Sequence, residues 1–385
     1  MNILIIGGTG VLSSAVTAEA LRQGIAVTMI NRGNRPIPKG VEHIKADKKD
    51  YSTIAQALEG RTFDAVMDYL LLYSDEDTRQ SVEFYTHYTK QYFYISSCAV
   101  YNTEALAGAV ADEDSPKVLP VWLYSVKKWA SEEMVMRLFE KKDAHYTIIR
   151  PCVTYGDTRI PYGISPQYGY HWTLVARILN DKPIITWNGG KNRCNMTRVE
   201  DFAVGVVGLI GNPKAFNEAF NVCGDEFSTQ GEVLDCIAEI VEHPVKKIDV
   251  DTDFYAAEIP YRKGELVGGR AIDTLNSNAK LKAAVPDFKH NYTLKDGIRK
   301  TLEAYKTQNY QHGIDWVFEA ETDRTIRKWC MAKGISLDKQ ATSFVDYLGN
   351  ATVKDRIKYW FIYHDLFKVY MLPIRIKNKI KRIFG

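Results

Sequence analysis

A tyrosine and a lysine four positions apart, Tyr124 and Lys128, are the residues of this sequence best suited to acid–base chemistry. On a helix, residues four apart share a face. A lysine ammonium beside a tyrosine favours the phenolate and lowers the pKa of the tyrosine. Such a tyrosine acts as a general base or acid on a hydroxyl or a carbonyl group. The pair therefore predicts proton transfer, although this spacing also occurs on helices by chance.

Two further motifs support that prediction. Residues 95–101 (ISSCAVY) place hydroxyl groups where a predicted strand ends, and parallel sheets bind ligands at the carboxyl ends of their strands. Residues 7–13 (GGTGVLS) form a glycine-rich loop between a predicted strand and a helix, an arrangement that binds the pyrophosphate of a dinucleotide. The three motifs together are more specific than any one of them. The alternative is a ligand-free turn, a capping serine and a surface Tyr and Lys.

The residues after the second and third predicted strands bear on the choice of cofactor. Asn31, Arg32 and Gly33 stand where a site for NAD usually has an acidic residue for the ribose hydroxyls. Arg32 and Arg35 suit a 2′-phosphate, so NADP(H) is slightly favoured over NAD, unless both arginines are merely solvated. Asp47 either faces the adenine amino group or caps a helix. No metal site is predicted.

These motifs must be positioned by elements that alternate between short apolar runs and amphipathic stretches. The predicted strands are 2–6, 26–30, 41–45, 63–69, 92–96 and 146–149, and the predicted helices are 13–23, 54–59, 75–89 and 124–140. Strands that alternate with helices predict βαβ units. Right-handed crossovers then give an α/β fold with a Rossmann-type doubly wound parallel sheet.

A chain of 385 residues is expected to form two or three domains. We predict an NAD(P)-binding Rossmann domain at 1–160, with returning segments near 196–225. A smaller α+β substrate-binding domain follows at 161–305, where the alternation becomes mixed. Residues 306–385 are predicted to form a helical, basic C-terminal extension.

Taken together, these motifs resemble the extended short-chain dehydrogenase/reductase family, the NAD-dependent epimerase/dehydratase group. The resemblance also rests on residues 150–156 (RPCVTYG) and 199–203 (VEDFA). It implies a Rossmann domain with a pocket for a nucleotide-diphosphate sugar. It also implies that Ser97, Tyr124 and Lys128 are catalytic, with Tyr124 as the acid/base and Lys128 as its partner, which also holds the nicotinamide ribose.

The resemblance covers about residues 1–305 and implies further contacts. The implied cofactor-binding residues are Gly7, Gly8, Thr9, Gly10, Val11, Leu12, Asn31, Arg32, Asp47, Tyr69, Leu70, Leu71, Tyr124, Lys128 and Val153. Candidates for the substrate diphosphate are Arg193 and Arg198 and, more weakly, Arg262 and Arg270, each of which also fits a structural arginine. Family members commonly dimerise through helices equivalent to 75–89 and 124–140, which predicts a homodimer.

Departures from the family bear on the reaction. The family's 4,6-dehydratases have Thr-Asp-Glu where this chain has Ser97, Cys98 and Ala99, so 4,6-dehydration is disfavoured. GDP-fucose synthases use an acid/base cysteine nearby, but Cys98 is one residue out of register, and a buried inert thiol is the favoured interpretation. Residues 31–33 also resemble a divergent branch that includes chloroplast stem-loop RNA-binding proteins. Members of that branch often lack the Tyr-x-x-x-Lys pair, so its presence favours retained redox chemistry.

The preferred function is an NAD(P)-dependent nucleotide-sugar epimerase that works by transient hydride transfer. The first alternative is an NADP(H)-dependent sugar-nucleotide reductase or dehydrogenase that uses the same three catalytic residues. The second alternative is a catalytically silent nucleotide-sensing or RNA-binding protein.

Composition and charge limit the partners. The chain has 50 Lys+Arg and 47 Asp+Glu, and its net charge of +3 argues against a dedicated nucleic-acid binder, so no specific nucleic acid is expected. The six cysteines are scattered, which predicts reduced thiols. The sequence shows neither a secretory signal nor an 18-residue apolar run, so we expect a cytoplasmic protein without a transmembrane helix.

The charge is unevenly distributed along the chain. Residues 351–385 contain nine basic and two acidic residues, a local charge of +7, whereas the other 350 residues have 41 basic against 45 acidic side chains, or −4. Bulky apolar residues alternate with the lysines of this tail. One hypothesis is a helix that packs on the chain itself or on a dimer partner and leaves its basic face in solvent. The other is an interfacial helix that contacts anionic lipid or an acidic partner, peripheral to the inner face of a membrane.

Overall fold

Short strands recur along the whole of the first two-thirds of the chain. The computed structural model describes residues 1–70 and 75–366. The strands are β1 (Asn2–Ile6), β2 (Ala26–Asn31), β3 (Val41–Lys45), β4 (Ala65–Asp68), β5 (Gln91–Ile95), β6 (His145–Pro151), β7 (Val153–Tyr155), β8 (Ile184–Thr186), β9 (Arg193–Arg198), β10 (Glu218–Val222), β11 (Phe227–Thr229) and β12 (Lys247–Asp249).

Helices separate these strands and continue beyond them. They are α1 (Val11–Arg22), α2 (Tyr51–Ala57), α3 (Asp75–Tyr85), α4 (Thr103–Leu106), α5 (Leu123–Phe139), α6 (Trp172–Leu179), α7 (Val199–Val207), α8 (Gln230–Val241), α9 (Thr252–Glu258), α10 (Lys263–Glu265), α11 (Ala279–Ala284), α12 (Leu294–Thr307), α13 (Trp316–Lys333) and α14 (Val353–Tyr363). A π-helical turn, Leu266–Arg270, follows α10. Within the two described ranges, no helix combines the length and apolar character needed to cross a bilayer.

Seven strands form one parallel sheet in the order β10-β6-β5-β4-β1-β2-β3. β1 lies between β2 and β4, and its residues Ile3, Leu4, Ile5 and Ile6 are fully buried. Because both faces of such a sheet are covered, its central strand is a continuous apolar run. The strand order reverses at β1, and doubly wound sheets bind ligands in the crevice at this switch point. The Rossmann-type fold predicted from the sequence is confirmed.

Alternate side chains of β1 point into two different helical layers. Ile3 and Ile5 belong to a core cluster that includes residues of α1 and α7. Leu4 and Ile6 belong to a second cluster with residues of α3 and α5. Since successive residues of a strand face opposite sides, one apolar strand anchors both layers. The helix that opens at the glycine-rich loop and the helix that carries Tyr124 are thus fixed on opposite faces of the sheet.

The bounds of several elements differ from those predicted. α2 begins at Tyr51, three residues before the predicted start, because the Asp50 carboxylate accepts the backbone N–H of Thr53 at 3.2 Å and caps the helix. α3 ends at Tyr85 and not at residue 89. Of the region predicted to be mostly helical, 334–352 contains only a short 3-10 turn, Lys339–Thr342. Residues 367–385 lie outside the described part of the chain.

The chain divides into two compact units. The first comprises 1–156, 192–228 and 267–297, and the second comprises 157–191, 229–266 and the chain from 298 onward. The segment 192–228 contributes β10, the outer strand that pairs with β6. The division into three domains drawn from the sequence stays a prediction.

The second unit contains a cluster of buried charges. The guanidinium of Arg177 lies 2.8 Å from the Glu319 carboxylate and 2.9 Å from the Asp323 carboxylate. The Lys182 ammonium pairs with the same two carboxylates, at 2.7 Å and 2.5 Å. All four side chains are almost completely buried. Since a buried charge without a partner costs several kcal/mol, this mutual pairing fixes α13 to the segment that carries α6 and β8.

Candidate active site

The glycine-rich loop connects β1 to α1. Gly7 and Gly8 have φ angles of 103° and 82°, in the left-handed region that favours glycine. A Cβ atom on Gly8 would lie 2.3 Å from the Cε atom of the buried Met29. The backbone N–H of Gly10, the N-cap of α1, donates to the hydroxyl of Ser13 at 2.9 Å. A turn whose first two residues have no side chain, followed by the N-terminus of a 12-residue helix, fits the pyrophosphate of a dinucleotide.

Asn31, predicted as a ligand of the cofactor, also holds the loop in place. Its side-chain amide donates to the carbonyl of Gly7 at 2.7 Å. Its side-chain oxygen accepts the backbone N–H of Gly33 at 2.8 Å and lies 3.1 Å from Nε2 of His43. The residue at the end of β2 therefore joins the glycine-rich loop to the following turn. An acidic residue here would lack the amide that donates to Gly7.

The charged residues predicted to choose the cofactor lie at the surface of the first unit. Arg32 is exposed, whereas the guanidinium of Arg35 donates to the carbonyl of Thr9 in the glycine-rich loop at 2.6 Å. Asp47 is exposed, and its carboxylate accepts the backbone N–H of Lys49 at 3.0 Å. Asp47 does not cap α2, because Asp50 is the N-cap of that helix. The remaining predicted residues of the loop, Val11 and Leu12, form the first turn of α1, and Leu12 packs against the core.

The residues after β4 lie against the same loop. A Cβ atom on Gly7 would be 3.3 Å from the Cδ2 atom of Leu70 and 3.6 Å from the Cβ atom of Tyr69. Leu71, also predicted as a cofactor ligand, lies outside the described residues. Asp68, which ends β4, is buried, and its carboxylate accepts the Ser81 hydroxyl at 2.7 Å and the backbone N–H of Leu70 at 2.9 Å. Burial raises the pKa of Asp68 above its usual range.

Lys128 links the tyrosine-bearing helix to the end of β5. α5 begins at Leu123, so Tyr124 lies in its first turn and Lys128 one turn later. Lys128 is 2% exposed, and its ammonium donates to the carbonyl of Ile95 at 2.8 Å. Ile95 is the last residue of β5 and precedes Ser97 by two positions. The structure thus brings two of the three predicted catalytic segments into direct contact.

The charge of Lys128 is set by competing effects. Burial lowers the pKa of its ammonium to about 8, while the carboxylates of Glu132 and Asp68 oppose that shift. The ammonium also lies 5.2 Å from the centre of the Tyr94 ring, a contact that favours a cation. Below pH 8 the side chain is therefore mostly protonated, the state that the proton-transfer prediction requires.

Ser97 is half-buried and begins a 3-10 turn, Cys98–Val100. Its hydroxyl oxygen accepts the backbone N–H of Ala99 at 3.2 Å. The capping serine considered as the alternative is therefore present in the structure. The two roles are compatible, because a hydroxyl that accepts one hydrogen bond keeps its own proton to donate to another oxygen.

A buried network that was not predicted lies one turn beyond Lys128. The Glu132 carboxylate, fully buried, receives three hydrogen bonds from the guanidinium of Arg150, at 2.7, 3.1 and 3.3 Å. Arg150 also donates to the hydroxyl of Tyr101 at 2.8 Å, and that hydroxyl donates to the side-chain oxygen of Asn221 at 2.7 Å. Burial opposes the protonated form of Arg150, but Glu132 outweighs it and raises the pKa of the guanidinium. The network joins α5, β6 and β10.

One sequence signal pointed to this network. Tyr124, Lys128 and Glu132 follow each other at intervals of four residues, so all three lie along one side of α5. An acidic residue on the buried stripe of a helix needs a cationic partner. The partner itself was not predictable from spacing, because Arg150 lies on a different element.

The thiol of Cys98 does not have the character of a nucleophile. Its Sγ atom donates to the carbonyl of Arg150 at 3.2 Å. Burial raises the pKa of this thiol well above its usual value, and the thiolate is the reactive form. Val153, predicted to lie beside the nicotinamide, is buried in β7 and pairs with Met196 of β9.

The predicted substrate arginines have protein partners in the first unit. Arg193 is partly exposed and pairs with Asp273, at 2.7 and 2.9 Å. Arg198 is fully buried, and its guanidinium donates to Glu200 at 2.7 Å and to the carbonyl of Gly297 at 3.3 Å. Arg270 is half-buried at the end of the π-helical turn. Of the three, Arg193 has the most accessible guanidinium. The weaker candidate, Arg262, lies in the second unit, where it donates to Glu265 and to the carbonyl of Ser165.

The sequence matches a known family and a curated relative. A family model described as the NAD dependent epimerase/dehydratase family matches residues 3–223. The chloroplast stem-loop binding protein of 41 kDa b from Arabidopsis thaliana is 27% identical over 244 residues. That match covers 59% of this chain and 60% of the relative, so the chain spans less than two-thirds of the relative's length.

Several solved structures have a similar fold. The UDP-glucuronic acid 4-epimerase of Bacillus cereus, solved with NAD, has a TM-score of 0.62 and 18% identity, covering 80% of this chain and 100% of that one. The UDP-glucose 4-epimerase of Thermotoga maritima, solved with UDP-glucose, has a TM-score of 0.65 and 17% identity, covering 80% and 100%. At these identities the similarity establishes the fold alone.

Proposed function

Because the chain belongs to the NAD-dependent epimerase/dehydratase family, we propose that it is a nucleotide-sugar epimerase that works by transient hydride transfer. Family membership places it among the NAD-dependent enzymes of the extended short-chain dehydrogenase/reductase type. The observation that carries the proposal is the hydrogen bond from Lys128 to the carbonyl of Ile95. It joins the start of the helix that bears Tyr124 to the strand end that precedes Ser97.

The proposed mechanism assigns a role to each of the three residues. Tyr124, as the phenolate, takes the proton of a sugar hydroxyl, and Ser97 donates a hydrogen bond to the same oxygen. The positive charge of Lys128 favours the phenolate over the phenol. A nicotinamide dinucleotide held by the glycine-rich loop would supply reversible hydride acceptance, the chemistry that inversion of the carbon through a keto sugar needs. Tyr124 then gives its proton back to the oxygen, so neither protons nor electrons are consumed overall.

The cofactor would be held by the glycine-rich loop and its neighbours. We propose that the dinucleotide contacts the glycine-rich loop, Asn31 and the residues that follow β4. Asp47 and Val153 are further candidates for contacts with the cofactor. We favour NADP(H) slightly over NAD, because the exposed guanidinium of Arg32 suits the 2′-phosphate that only NADP(H) carries. Comparison of the affinities of NADH and NADPH for the wild type and for Arg32→Ala tests this choice, because loss of the arginine should weaken NADPH alone.

The proposed substrate is a nucleotide-diphosphate sugar. Arg193, Arg198 and Arg270 remain the candidates for its diphosphate, and Arg193 is the most accessible of them. We also propose a homodimer through α3 and α5 and a cytoplasmic location. A reductase or dehydrogenase with the same three residues is the first alternative function. The second is a catalytically silent nucleotide-sensing or RNA-binding protein, which is supported by the match to a relative named as a stem-loop binding protein.

One experiment separates these functions. Ligands released from the purified protein are identified by mass spectrometry, and the protein is then assayed against a panel of nucleotide sugars. An epimerase interconverts two sugars without net change in NAD(P)H absorbance, whereas a reductase consumes NADPH with a keto sugar. Tyr124→Phe should lower turnover by about 10²–10⁴-fold, the usual contribution of acid–base catalysis.

The matched control is Tyr88→Phe, which also removes one phenolic hydroxyl but at a half-buried position in an aromatic cluster after α3. This variant should retain full turnover. Equal turnover of the wild type and Tyr124→Phe would contradict the proposed role of the tyrosine. The second alternative would be favoured if the purified protein carried no dinucleotide, bound none that was added, and bound an RNA hairpin tightly.

A further inference from the structure

One face of α14 is fixed to α13. Tyr359 and Ile362 are buried in a cluster with Ala320, and the hydroxyl of Tyr359 donates to Asp323 of the buried ionic cluster at 2.6 Å. The guanidinium of Arg324 donates to the carbonyl of Ile362 at 3.3 Å. This part of the tail therefore packs on the chain itself, and its orientation is fixed by both apolar and polar contacts.

The opposite face of α14 is apolar and exposed. Val353, Ile357 and Trp360 are 72%, 44% and 50% exposed. Their spacing of four and three residues puts them in one stripe along the helix, roughly opposite to Ile362. Leu366, just after the helix, is also exposed. An apolar stripe of this kind usually faces a core, but here the core-facing side of the helix is already occupied by other residues.

Two basic residues lie beside this stripe. Lys354 and Arg356 are exposed in the first two turns of α14, and the guanidinium of Arg356 also pairs with Asp346 at 3.1 Å. The half-buried Lys358 lies nearer the packed side of the helix, one residue before Tyr359. The two acidic residues of 351–366 are engaged by the protein. Asp355 accepts the hydroxyl of Thr352 in a helix cap, and Asp365 pairs with Lys328 of α13 at 2.7 Å.

The charge continues in the sequence beyond the described residues. Residues 367–385 contain six Lys and Arg, no Asp or Glu, and ten apolar side chains. The stripe on α14 is therefore followed by 19 residues with a charge of +6.

We propose that the exposed face of α14 docks on the surface of an anionic lipid bilayer. Apolar side chains with a tryptophan enter the boundary between headgroups and acyl chains, while lysine stems extend their ammonium groups to the phosphates. Basic residues near an anionic leaflet add roughly fivefold in affinity each at low salt. A bilayer accommodates both features of this stretch, since its interior takes the apolar residues and its surface the basic ones. An acidic protein would have to offer an apolar groove beside its carboxylates to match the same stretch.

The test is sedimentation of the full-length protein with vesicles. Vesicles of phosphatidylcholine are compared with vesicles in which roughly one-third of the lipid is phosphatidylglycerol. We expect at least about tenfold stronger binding to the anionic vesicles, weakening as salt screens the charges. The double variant Ile357→Ser/Trp360→Ser should lower that affinity by at least about tenfold, because it removes two apolar side chains from the contact.

The matched control is Val110→Ser, since Val110 is 46% exposed and lies in the first unit. It should bind vesicles as the wild type does. Circular dichroism and thermal unfolding check that both variants are folded, which we expect because the replaced side chains face solvent. Tyr124→Phe should also bind normally, so this proposal is judged separately from the proposed catalysis.

Three results would overturn the proposal. The first is equal binding of the wild type to neutral and anionic vesicles, or no binding to either. The second is unchanged binding by the folded double variant. The third is a wild type that binds no vesicles and forms a dimer in solution, together with a double variant that is a monomer. That result would make a second copy of the chain the occupant of this face.

Discussion

The ring of Trp122 packs against the ring of Tyr124, with centroids 5.3 Å apart and planes inclined by 40°. The same Trp122 side chain also lies against the glycine pair of the π-helical turn. A Cβ atom on Gly269 would lie 2.6 Å from the Cζ3 atom of Trp122, and one on Gly268 would lie 3.0 Å from its Cβ atom. π-helical turns are rare and often occur at functional sites. Two glycines thus allow Trp122 to occupy the position from which it supports the ring of the proposed acid/base.

Gly269→Ala should therefore lower turnover without removing any reacting group. The added methyl displaces the indole, and a small misplacement of a catalytic group costs up to 10²-fold in rate. Under the proposed function, we expect kcat to fall by roughly tenfold with little change in KM. The smaller ring of Trp122→Phe should relieve the overlap, so the double variant should be faster than Gly269→Ala alone. Strict additivity of the two changes would contradict the packing argument.

Lys128 predicts a pH-dependent contribution to stability. Its pKa is about 8 in the folded protein, against a value of 10.5 for an unperturbed lysine. Between these values the unfolded chain binds more protons, so this group makes the free energy of unfolding rise with pH. Urea unfolding of the wild type and of Lys128→Met, compared at pH 7, 8, 9 and 10, isolates the effect. The free energy of unfolding of the wild type, relative to that of Lys128→Met, should rise with pH across this window and be constant below about pH 7.

The same titration should appear in the activity. Deprotonation of Lys128 removes the positive charge that favours the phenolate of Tyr124, so kcat/KM should fall as the pH rises through about 8. In Lys128→Arg the guanidinium stays protonated, and any residual activity should lack this decline. A decline at the same pH in the arginine variant would assign it to another group.

Removal of the Glu132 carboxylate should strongly destabilise the fold. Glu132→Gln leaves the buried guanidinium of Arg150 without its counter-ion, and loss of one partner of a buried pair typically costs about 3–5 kcal/mol. The control is Asp143→Asn, because Asp143 forms an exposed ion pair with Lys90, and such pairs contribute little. Chemical denaturation should show a large loss of unfolding free energy for the first variant and no measurable loss for the second.

Alanine substitutions at two glycines with similar φ angles distinguish the cost of backbone strain from the cost of steric overlap. Gly8 and Gly24 have φ angles of 82° and 73°, so alanine at either position costs about 1–2 kcal/mol of backbone strain. A methyl on Gly24 meets no atom within 4 Å, whereas one on Gly8 overlaps Met29. We expect Gly8→Ala to be the less stable of the two and to lose affinity for the dinucleotide, as measured by fluorescence titration. Equal dinucleotide affinity in both variants would contradict the assignment of the loop.

The elements of the sheet were predictable because they depend on local patterns. β1 and β3 have the predicted bounds. For β1 the signal is a short apolar run that ends at a glycine turn, which is typical of a buried strand. β3 is an edge strand of mixed apolar and polar residues. The start of α2 was predicted three residues late, because the capping residue Asp50 lies before the apolar periodicity begins. Helix ends are decided by single hydrogen bonds of this kind, and hydrophobic spacing does not report them.

By itself, the sequence determined the order of strands and helices, the glycine-rich loop and the four-residue spacing of Tyr124 and Lys128. Only the tertiary structure decided the partners of the polar groups: Lys128 with the carbonyl of Ile95, Arg150 with Glu132, and the buried Arg198 with Glu200. It also decided which face of α14 is covered and which is exposed. The physical reason is that local conformation depends on neighbours in the chain, whereas burial and pairing depend on residues that packing brings together from distant elements.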